Sequence, residues 1–383
     1  MKKVLILASV ASMIDQFNMP NIELLQSMGY EVHVACNFID GNTCNREKIN
    51  ILKKELREKG ILYFQIDFSR DWKDFKAYKK AYQQVNILLK ENKYIFLHCH
   101  SPIGGVIGRI AAHKKKVRVI YTAHGFHFYK GASIKHWALF YPIERFLARW
   151  TDVLITINKE DYKRAKKFHA KKVVYMPGVG VDLEKIEKVQ VDKKEKRKEL
   201  GIPEEAFVMV SVGELSVRKN HKVVIEALGS IQNKTIYYVI CGQGVLKENL
   251  KKIAEEKGIS DRIKLLGFRT DIIEIYKASD IFIFPSLQEG LPLALMEAMA
   301  SGLPSLVSDI RGNCDLTKDG AGMCFSLKNQ ESLINGIKVM SKKCKDIGWK
   351  KETLKKIKLV LEDKQKKSVL QKTKEIYEAM EQE

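Results

Sequence analysis

The chain has 383 residues, 45% of them hydrophobic, and an excess of Lys and Arg over Asp and Glu gives it a formal net charge of +21. This length exceeds what a single hydrophobic core normally serves, so we predict two globular domains. The seven cysteines include no Cys-x-x-Cys pair, which argues against a disulfide framework or a zinc site and favours a reducing, cytoplasmic compartment. No apolar run approaches the roughly 20 residues that a membrane-spanning helix needs.

The first half of the chain alternates strand-like runs with helical patterns, which is typical of doubly wound parallel sheets. Its first apolar run follows two lysines and superficially resembles a secretion signal. Because Ser9 interrupts that run and Asp15 follows it, we predict a buried strand over residues 4–9 instead. The other strands predicted in this half are residues 31–35, 62–66, 95–100, 118–122, 153–157 and 173–176. They predict an N-terminal, Rossmann-like domain over residues 1–180.

The second half repeats this alternation after a polar interruption. A Gly-Val-Gly-Val-Asp turn leads into a charged stretch, and we predict that residues 181–200 are a linker because they are too polar for a core element. Strands are then predicted at residues 207–212, 236–241, 263–266, 281–284 and 305–307. They predict a second Rossmann-like domain over residues 201–360, whose α/β part ends near residue 337. A helical tail over residues 361–383 follows it.

A turn over residues 285–291 is predicted after the strand at residues 281–284, and a helix is predicted to follow that turn. Pro292 is expected at the first helical position, where its missing N–H leaves no helical hydrogen bond unmade. Gly302 and Pro304 are expected to end the helix.

Two glutamates, Glu289 and Glu297, flank the start of that helix with seven residues between them. The backbone amides of Gly290 and Leu291, together with the positive end of the helix dipole, suit a diphosphate. The two carboxylates can accept hydrogen bonds from paired hydroxyls such as those of sugars and riboses. The pattern favours a nucleotide-sugar site, with two solvated glutamates beside an ordinary helix as the alternative.

Two glycine-bearing loops add candidate donor-binding residues. Gly213 ends the strand at residues 207–212, and Arg218 and Lys219 follow it as candidate phosphate contacts. Taken alone, these two cations could also be ordinary surface charges. Gly242 and Gly244 follow the next strand, but they lack the Gly-x-Gly-x-x-Gly spacing of a nicotinamide site, and no Walker-type loop is present. We therefore predict no cofactor other than the nucleotide sugar itself, which is a co-substrate.

The positive charge is concentrated in the first half, since residues 1–180 contain 31 Lys and Arg against 15 Asp and Glu. Bulky aromatic residues lie among these cations, a composition that favours an anionic membrane surface or an acceptor carried there. The alternative is that the aromatic residues are core and the lysines only solvate the protein. Nucleic acid is the least favoured partner because no RNP, KH, zinc-finger or helix-turn-helix motif accompanies the charge. The candidate residues are Lys114, Lys115, Lys116, Trp137, Arg145, Arg149, Lys166 and Lys167.

A histidine follows the strand at residues 118–122. Ligands of open α/β sheets bind beyond the carboxyl ends of the strands, so His124 is a candidate substrate-facing, catalytic residue. Whether His127 in the same loop faces the substrate as well is left open. The His-Cys-His sequence at residues 98–100 is predicted to alternate between the two faces of a strand, so we expect no metal site there.

The spacing of Glu289 and Glu297 resembles the motif of retaining GT-B glycosyltransferases, in particular glycosyltransferase family 4, and the resemblance extends over nearly the whole chain. It implies an α/β fold of the GT-B type, with two Rossmann-like doubly wound domains facing a central cleft. It also implies that the last helix returns to the N-terminal, acceptor-binding domain, while the second domain binds the nucleotide sugar.

The resemblance also implies roles for individual residues. Lys219 matches the lysine that binds the diphosphate, and Phe268 lies in a loop near the nucleotide base. His124 corresponds to the histidine that contacts the transferred sugar. Glu289 would bind sugar hydroxyls and steady positive charge in the transition state, and Glu297 would bind the ribose hydroxyls.

The chain departs from the family pattern in two places. Many members have arginine directly after the glycine of the phosphate loop, whereas this chain has Glu214, so Arg218 is expected to take over part of that function. Many members also have a Gly-Gly loop after the first strand, whereas this chain has Ala-Ser-Val-Ala-Ser-Met-Ile-Asp at residues 8–15. We expect a looser backbone approach at that point.

The activity implied is a metal-independent transfer of a hexosyl or N-acetylhexosaminyl unit from a UDP-sugar to a hydroxyl, with retention of anomeric configuration. The departing phosphate would help to deprotonate the acceptor. The His124 loop and residues 141–145 resemble, more narrowly, transferases that assemble capsule, exopolysaccharide or O-antigen repeats on lipid carriers. A lipid-linked saccharide acceptor is therefore expected, with the protein peripheral on the inner face of the cytoplasmic membrane. The alternatives are a nucleotide-sugar epimerase of similar fold and a catalytically silent, membrane-associated scaffold.

Overall fold

The computed structural model describes residues 1–42, 44–69, 71 and 73–382, and the chain divides into two compact units. The first unit contains Met1–Val179 and the C-terminal segment from Ser368, and the second contains Gly180–Lys367. Each unit is built around one parallel β-sheet with helices. The predicted class of two doubly wound α/β domains is confirmed.

The first sheet has seven parallel strands in the order β3-β2-β1-β4-β5-β6-β7. Its interior strand β1 is buried at every position from Val4 onward, which fits a mostly apolar sequence in a sheet covered on both faces. The strands are β1 (Lys3–Val10), β2 (Glu31–Asn37), β3 (Leu62–Gln65), β4 (Tyr94–His100), β5 (Arg118–Ala123), β6 (Val153–Thr156) and β7 (Lys172–Tyr175). The helices are α1 (Ala11–Phe17), α2 (Met19–Ser27), α3 (Arg46–Glu58), α4 (Phe75–Glu91), α5 (Pro102–Lys115), α6 (Ile134–Leu147) and α7 (Lys159–Ala165).

The second sheet has six strands in the order β10-β9-β8-β11-β12-β13. Its strands are β8 (Phe207–Val212), β9 (Ile236–Cys241), β10 (Ile263–Gly267), β11 (Ile281–Phe284), β12 (Ser305–Ser308) and β13 (Gly322–Phe325). The helices are α8 (Leu183–Lys188), α9 (Lys193–Glu199), α10 (His221–Gly229), α11 (Lys247–Glu256), α12 (Ile272–Ala278), α13 (Leu293–Ala300), α14 (Asn313–Thr317), α15 (Gln330–Lys343) and α16 (Ile347–Leu361). Our sequence analysis missed β13, because four residues beginning with glycine carry too little periodicity to indicate a strand.

The last helix, α17 (Lys366–Gln382), contributes its apolar face to the core of the first unit. Tyr377 is fully buried there, and its ring stacks on Phe96 of β4 with centroids 5.5 Å apart. Its hydroxyl lies 3.0 Å from Nδ1 of His98, also on β4. Tyr377, near the C-terminus, therefore provides a buried hydrogen-bond partner for His98 of the first sheet.

Residues 181–200, which we predicted to be a linker, form helices α8 and α9 of the second unit. Part of the polarity of this stretch is buried, since Arg197 donates to the backbone carbonyls of Ala278 and Ala206 at 2.9 Å. Its guanidinium also pairs with Asp280 at 2.7 Å. Buried charge that is paired and hydrogen-bonded is compatible with a folded interior, so polarity alone did not indicate a linker.

Candidate functional site

The two glutamates of the motif lie on either side of the start of α13, as the sequence predicts. Pro292 has φ −77° and ψ 115°, an extended conformation, so it caps the helix and Leu293 begins it. The prediction that Pro292 occupies the first helical position is therefore wrong by one residue. Gly302, with φ 86°, follows the end of the helix in the left-handed conformation that glycine favours.

One carboxylate oxygen of Glu289 accepts hydrogen bonds from two cations. Nζ of Lys219 lies 2.7 Å from its Oε1, and a guanidinium nitrogen of Arg218 lies 3.0 Å away. Glu289 and Lys219 are both buried, whereas the Arg218 side chain is 45% exposed. The fold thus brings together three residues that sequence analysis had placed in two separate loops.

Lys219 is the most enclosed cation of this cluster. Its Nζ lies 4.5 Å from the centroid of the Phe284 ring. Burial lowers the pKa of Lys219, and the neighbouring Glu289 opposes that shift. A positive charge held in such surroundings interacts more strongly with an incoming anion than a solvated lysine does.

The loop glycines allow close contact between two backbone segments. A Cβ added to Gly242 would overlap the carbonyl oxygen of Gly213, and one added to Gly244 would overlap that of Leu215. A Cβ at Gly213 would lie 3.0 Å from Cε of Lys219. Because these positions carry no side chain, the two loops can approach closely and the Lys219 side chain has room beside Gly213.

The peptide groups of Gly290 and Leu291 lie between the two glutamates. Within the described residues, the amides of Gly290 and Leu291 donate no hydrogen bond. The carbonyl of Gly290 packs against Gly312, where a Cβ would overlap its oxygen. Nε of Arg311 donates to the carbonyl of Glu289 at 3.3 Å. The sequence did not indicate Arg311 or Gly312, since they form no motif with the residues that they contact.

Glu297 lies inside α13 and is half-buried. Among the described residues its carboxylate has no hydrogen-bond partner, and Lys185 of α8 is the cation whose charge acts on it. Burial raises the pKa of Glu297 to about 7. An unpaired, partly desolvated carboxylate of this kind is suited to accept hydrogen bonds from ligand hydroxyls.

The raised pKa of Glu297 predicts a pH-dependent stability. Between its ordinary value of 4.5 and about 7, the folded state binds more protons than the unfolded state, so stability falls as pH rises through this window. Glu297→Gln removes the ionisation and is expected to exceed the parent in unfolding free energy above about pH 7, by on the order of 2–3 kcal/mol. The two should be alike near pH 4.

Urea unfolding across this pH range measures that difference. The exposed Glu255→Gln in α11 is the matched control. A gap between Glu297→Gln and the parent that does not change with pH would contradict the prediction.

The remaining donor-side candidates lie at the surface. Phe268 follows β10 and is 69% exposed, so one face of its ring is available for stacking. Its neighbour Arg269 is held by Asp271, with Nε and Oδ1 2.7 Å apart. Glu214 is exposed, and its charge acts on Lys219.

In the first unit, His124 follows the carboxyl end of β5 and lines a pocket. Its Nε2 lies 3.1 Å from Nδ1 of His100, and its ring lies against Phe17. Burial lowers the pKa of His124 to about 4, so the ring is neutral at pH 7. A neutral imidazole here can donate or accept a hydrogen bond without carrying charge. Other residues lining the pocket are Pro20, Asn21, Met176, Val369 and Thr373.

The histidines of β4 lie side by side in the interior. The rings of His98 and His100 have centroids 4.1 Å apart, and Nε2 of His98 is 2.8 Å from Oγ1 of Thr122. Burial holds the pKa of both rings below the usual range, near 3 for His98. Among the described residues, no cluster of His, Cys, Asp or Glu has a metal-binding arrangement. His127 instead packs on Phe140 of α6, with ring centroids 4.7 Å apart.

The segment that replaces the Gly-Gly loop is regular structure. β1 continues to Val10, and α1 begins at the next residue. Oγ of Ser9 lies 2.6 Å from Oγ of Ser101 and accepts from the amide of Gly104 at 3.1 Å. This seryl pair joins β1 closely to the start of α5. The expected looser approach of the backbone to bound phosphates stays a prediction.

Both units match families of known proteins. Residues 3–158 match the family described as Glycosyl transferase 4-like, and residues 192–358 match Glycosyl transferases group 1. The putative glycosyltransferase EpsD of Bacillus subtilis (strain 168) is 34% identical over 328 residues, covering 83% of this chain and 82% of that protein. The chain belongs to glycosyltransferase family 4.

A second relative is also a glycosyltransferase, and two solved structures share the fold of this chain. The UDP-Gal:alpha-D-GlcNAc-diphosphoundecaprenol alpha-1,3-galactosyltransferase of Escherichia coli is 37% identical over 294 residues, covering 72% of this chain and 74% of that enzyme. Anabaena HepE, solved with UDP and glucose, has a TM-score of 0.76 at 17% identity, covering 99% of this chain and all of that one. WaaG has a TM-score of 0.71 at 17% identity over 98% and 99% of the two chains. The glycosyltransferase therefore has the GT-B fold.

The basic residues of this glycosyltransferase occupy several surfaces of the first unit. Lys114 and Lys115 form the last turn of α5, followed by Lys116, while Lys166 and Lys167 follow α7. Arg145 and Arg149 are exposed at the end of α6. No helix within the described ranges is long and apolar enough to cross a membrane.

Trp137 is less exposed than the predicted contact with a membrane or acceptor implies. It is half-buried, and its ring lies against Phe128 and under the guanidinium of Arg164, 4.8 Å from the ring centroid. Its indole N–H donates to the carbonyl of Tyr129 at 3.3 Å. The helix buries much of Trp137 and exposes Phe146, one of the aromatic residues noted among the cations. It also exposes three apolar residues that the sequence did not indicate, namely Ile134, Leu139 and Ile143.

Proposed function

We propose that this chain transfers a hexosyl or N-acetylhexosaminyl unit from a UDP-sugar to a hydroxyl of a lipid-linked saccharide, with retention of anomeric configuration, during surface polysaccharide synthesis. The observation that carries the proposal is the cluster of Lys219, Arg218 and Glu289 beside two amides that precede α13 and donate no hydrogen bond within the described residues. Cations, free amides and a carboxylate together fit a ligand that carries both a diphosphate and hydroxyl groups.

The diphosphate would be bound by positive charge and by backbone donors. Lys219 supplies an enclosed charge, Arg218 a more exposed one, and Gly290 with Leu291 two amides near the positive end of the α13 dipole. As the bond between sugar and phosphate breaks, negative charge grows on the leaving diphosphate. Donors already in position stabilise that charge without reorganisation. We propose that these groups suffice without a metal ion.

The carboxylates would bind the hydroxyl groups on either side of the diphosphate. Glu289 is held by two cations, which keep its oxygens oriented, and would contact the transferred sugar. Glu297 has a half-buried carboxylate without a hydrogen-bond partner in the described part of the chain, and would contact the ribose. His124 is our candidate for a neutral contact to the transferred sugar. The departing phosphate would accept the proton of the acceptor hydroxyl.

Two relatives support the choice of substrates. The name of the Escherichia coli enzyme specifies UDP-galactose as donor and N-acetylglucosamine on a diphosphoundecaprenol carrier as acceptor. HepE has been solved with UDP and with UDP-glucose. These relatives support a UDP-sugar donor and a lipid-linked acceptor for this chain.

Nucleotide binding is the first test of the proposal. Thermal unfolding with UDP, GDP, ADP and CMP is expected to show stabilisation by UDP alone, since a ligand that binds only the folded state raises its stability. Glu297→Ala should reduce that shift because it removes the proposed ribose contact. Stabilisation by none of the four at millimolar concentration would contradict the donor site and favour the scaffold alternative.

Product analysis then tests the reaction. With a UDP-sugar and a diphosphate-linked N-acetylglucosamine lipid, NMR of the product's anomeric proton should report retained configuration. An inverted linkage would contradict the stereochemical part of the proposal. A changed sugar nucleotide formed without any acceptor would identify an epimerase instead.

Helix α6 is proposed to contact an anionic membrane surface. Ile134 is 86% exposed, and Leu139, Ile143 and Phe146 are also exposed beside Arg145 and Arg149. An exposed apolar stripe bordered by arginines suits the interface between lipid head groups and acyl chains. Binding of this kind would place the protein at the surface on which its lipid-linked acceptor is carried.

Vesicle co-sedimentation tests the membrane proposal. The double variant Leu139→Ser/Phe146→Ser is expected to bind phosphatidylglycerol vesicles about tenfold more weakly, because each replacement removes apolar area from the contact. Leu359→Ser in α16, which changes an apolar residue of the second unit that is more exposed than Leu139 or Phe146, is the control and should leave binding unchanged. If the parent protein fails to sediment with these vesicles at moderate salt, the proposal is wrong.

A further inference from the structure

Two thiols lie close together near residues 289–291, here named the donor loop. Sγ of Cys314 in α14 and Sγ of Cys324 in β13 are 3.9 Å apart. Cys324 is exposed and Cys314 half-buried, so both can be reached from solvent. Four of the other cysteines are buried, and the fifth, Cys44, is half-buried in the first unit.

The packing of α14 on β13 keeps the two sulfur atoms near each other. A Cβ added to Gly322 at the start of β13 would lie 2.7 Å from Cγ2 of Thr317 in α14, so the helix contacts the strand directly. A disulfide has a sulfur to sulfur distance of about 2.0 Å, so the atoms must approach by roughly 2 Å. Rotation of the two side chains and a small shift of the short helix can supply this movement.

The environment favours one of the two thiols as the nucleophile. The hydrogen bond from the Cys314 thiol lowers the pKa of Cys324 to about 6, against the opposing effect of burial. Oγ1 of Thr317 also lies 3.2 Å from Sγ of Cys324. The thiolate is the reactive form of cysteine, and Cys324 is the more exposed member of the pair.

We propose that Cys314 and Cys324 form a reversible disulfide by exchange with a low-molecular-weight disulfide such as glutathione disulfide. The Cys324 thiolate attacks one sulfur of the oxidant, forms a mixed disulfide and releases one glutathione thiolate. Cys314 then loses its proton to solvent and attacks Sγ of Cys324, which releases the second glutathione thiolate. Two protein thiols are oxidised to one disulfide, and one glutathione disulfide is reduced to two thiols.

The cross-link would act on the donor loop through the residues that precede α14. Gly312 lies against the carbonyl of Gly290, and Arg311 donates to the carbonyl of Glu289 at 3.3 Å. Because Gly312 and Gly290 are already in direct contact, movement of Cys314 towards β13 disturbs that contact. The oxidised protein is therefore expected to bind UDP several-fold more weakly, a consequence that rests on the proposed function.

Disulfide mapping tests the modification itself. The full chain is incubated with glutathione disulfide in excess over glutathione, its free thiols are alkylated, and its peptides are analysed by mass spectrometry. The parent and the control Cys44→Ser should give one cross-linked pair, Cys314 with Cys324, which dithiothreitol removes. In Cys314→Ser, Cys324 should instead carry a glutathione adduct. Alkylation of both thiols in the parent, or cross-links that involve Cys44, would overturn the proposal.

UDP affinity of the oxidised and reduced forms then tests the coupling. The parent should lose affinity on oxidation and regain it with dithiothreitol, whereas Cys324→Ser should show the same affinity under both conditions. Equal affinity of both parent forms, with the disulfide mapped, would overturn the coupling and leave the modification site established. Failure of the reduced parent to bind any nucleotide would count against the proposed function and not against the disulfide.

Discussion

Lys219→Ala is expected to lower kcat/KM for sugar transfer by about 100- to 1000-fold, corresponding to about 2.7–4 kcal/mol of lost transition-state stabilisation. The buried ammonium lies 2.7 Å from the Glu289 carboxylate and is the more enclosed of the two cations that contact it. Its removal takes away the group proposed to stabilise the leaving diphosphate. UDP binding should weaken as well, because the diphosphate is present in the ground state.

Two further variants separate this role from a general effect of charge. Arg218→Ala is expected to cost less than Lys219→Ala, since the Arg218 side chain is 45% exposed and water screens its charge. Lys222→Ala in α10 removes an exposed lysine that pairs with Glu226, and it should leave turnover unchanged. Initial rates of sugar transfer, measured for each variant, show the order of these effects on turnover. A Lys219→Ala enzyme within threefold of the parent would exclude the proposed role.

Glu144→Ala is expected to lower the unfolding free energy by about 3–5 kcal/mol. Arg109 is fully buried, and a terminal guanidinium nitrogen lies 2.8 Å from the Glu144 carboxylate. Tyr121 donates to the same carboxylate at 3.1 Å and lies under the guanidinium, 4.1 Å from the ring centroid. Removal of Glu144 leaves a buried positive charge without its partner, which is the costly way to break such a pair.

Denaturant unfolding measures this effect, with an exposed ion pair as control. Lys54 and Glu58 in α3 lie 3.7 Å apart at the surface, so Glu58→Ala should change stability by less than about 0.5 kcal/mol. The double replacement Arg109→Met/Glu144→Leu should recover much of the loss, because it removes both charges together. If Glu144→Ala is as stable as Glu58→Ala, the buried pair does not stabilise the contact between α5 and α6.

Local patterns predicted most of the strands. The apolar runs over β8, β9 and β11 were predicted with the bounds that the structure has, since strand periodicity and flanking turn residues are properties of adjacent residues. β13 was missed because an edge strand of four residues lacks such a pattern. The polar helix α9 was taken for part of a linker because its buried Arg197 is satisfied by residues about 80 positions later.

The candidate donor site was predictable in its chemistry but not in its contacts. The spacing of Glu289 and Glu297 and the cations after Gly213 indicated a nucleotide-sugar site, and these residue types alone suit that ligand. The direct pairing of Lys219 with Glu289 was not predicted, because 70 residues separate them in the chain. Arg311 and Gly312 were missed for the same reason.

The sequence by itself determined the alternation of strands and helices, the family and the identity of the motif residues, because these depend on neighbouring residues and on fixed spacing. Only the tertiary structure decided which side chains are enclosed and what each one contacts. In the folded chain, the ring of Trp137 packs against the guanidinium of Arg164. The side chains of His98 and Tyr377 meet although 279 positions separate them, and Cys314 lies beside Cys324. The physical reason is that burial, and with it pKa and the strength of a charge, depends on elements that are distant in the chain and close in space.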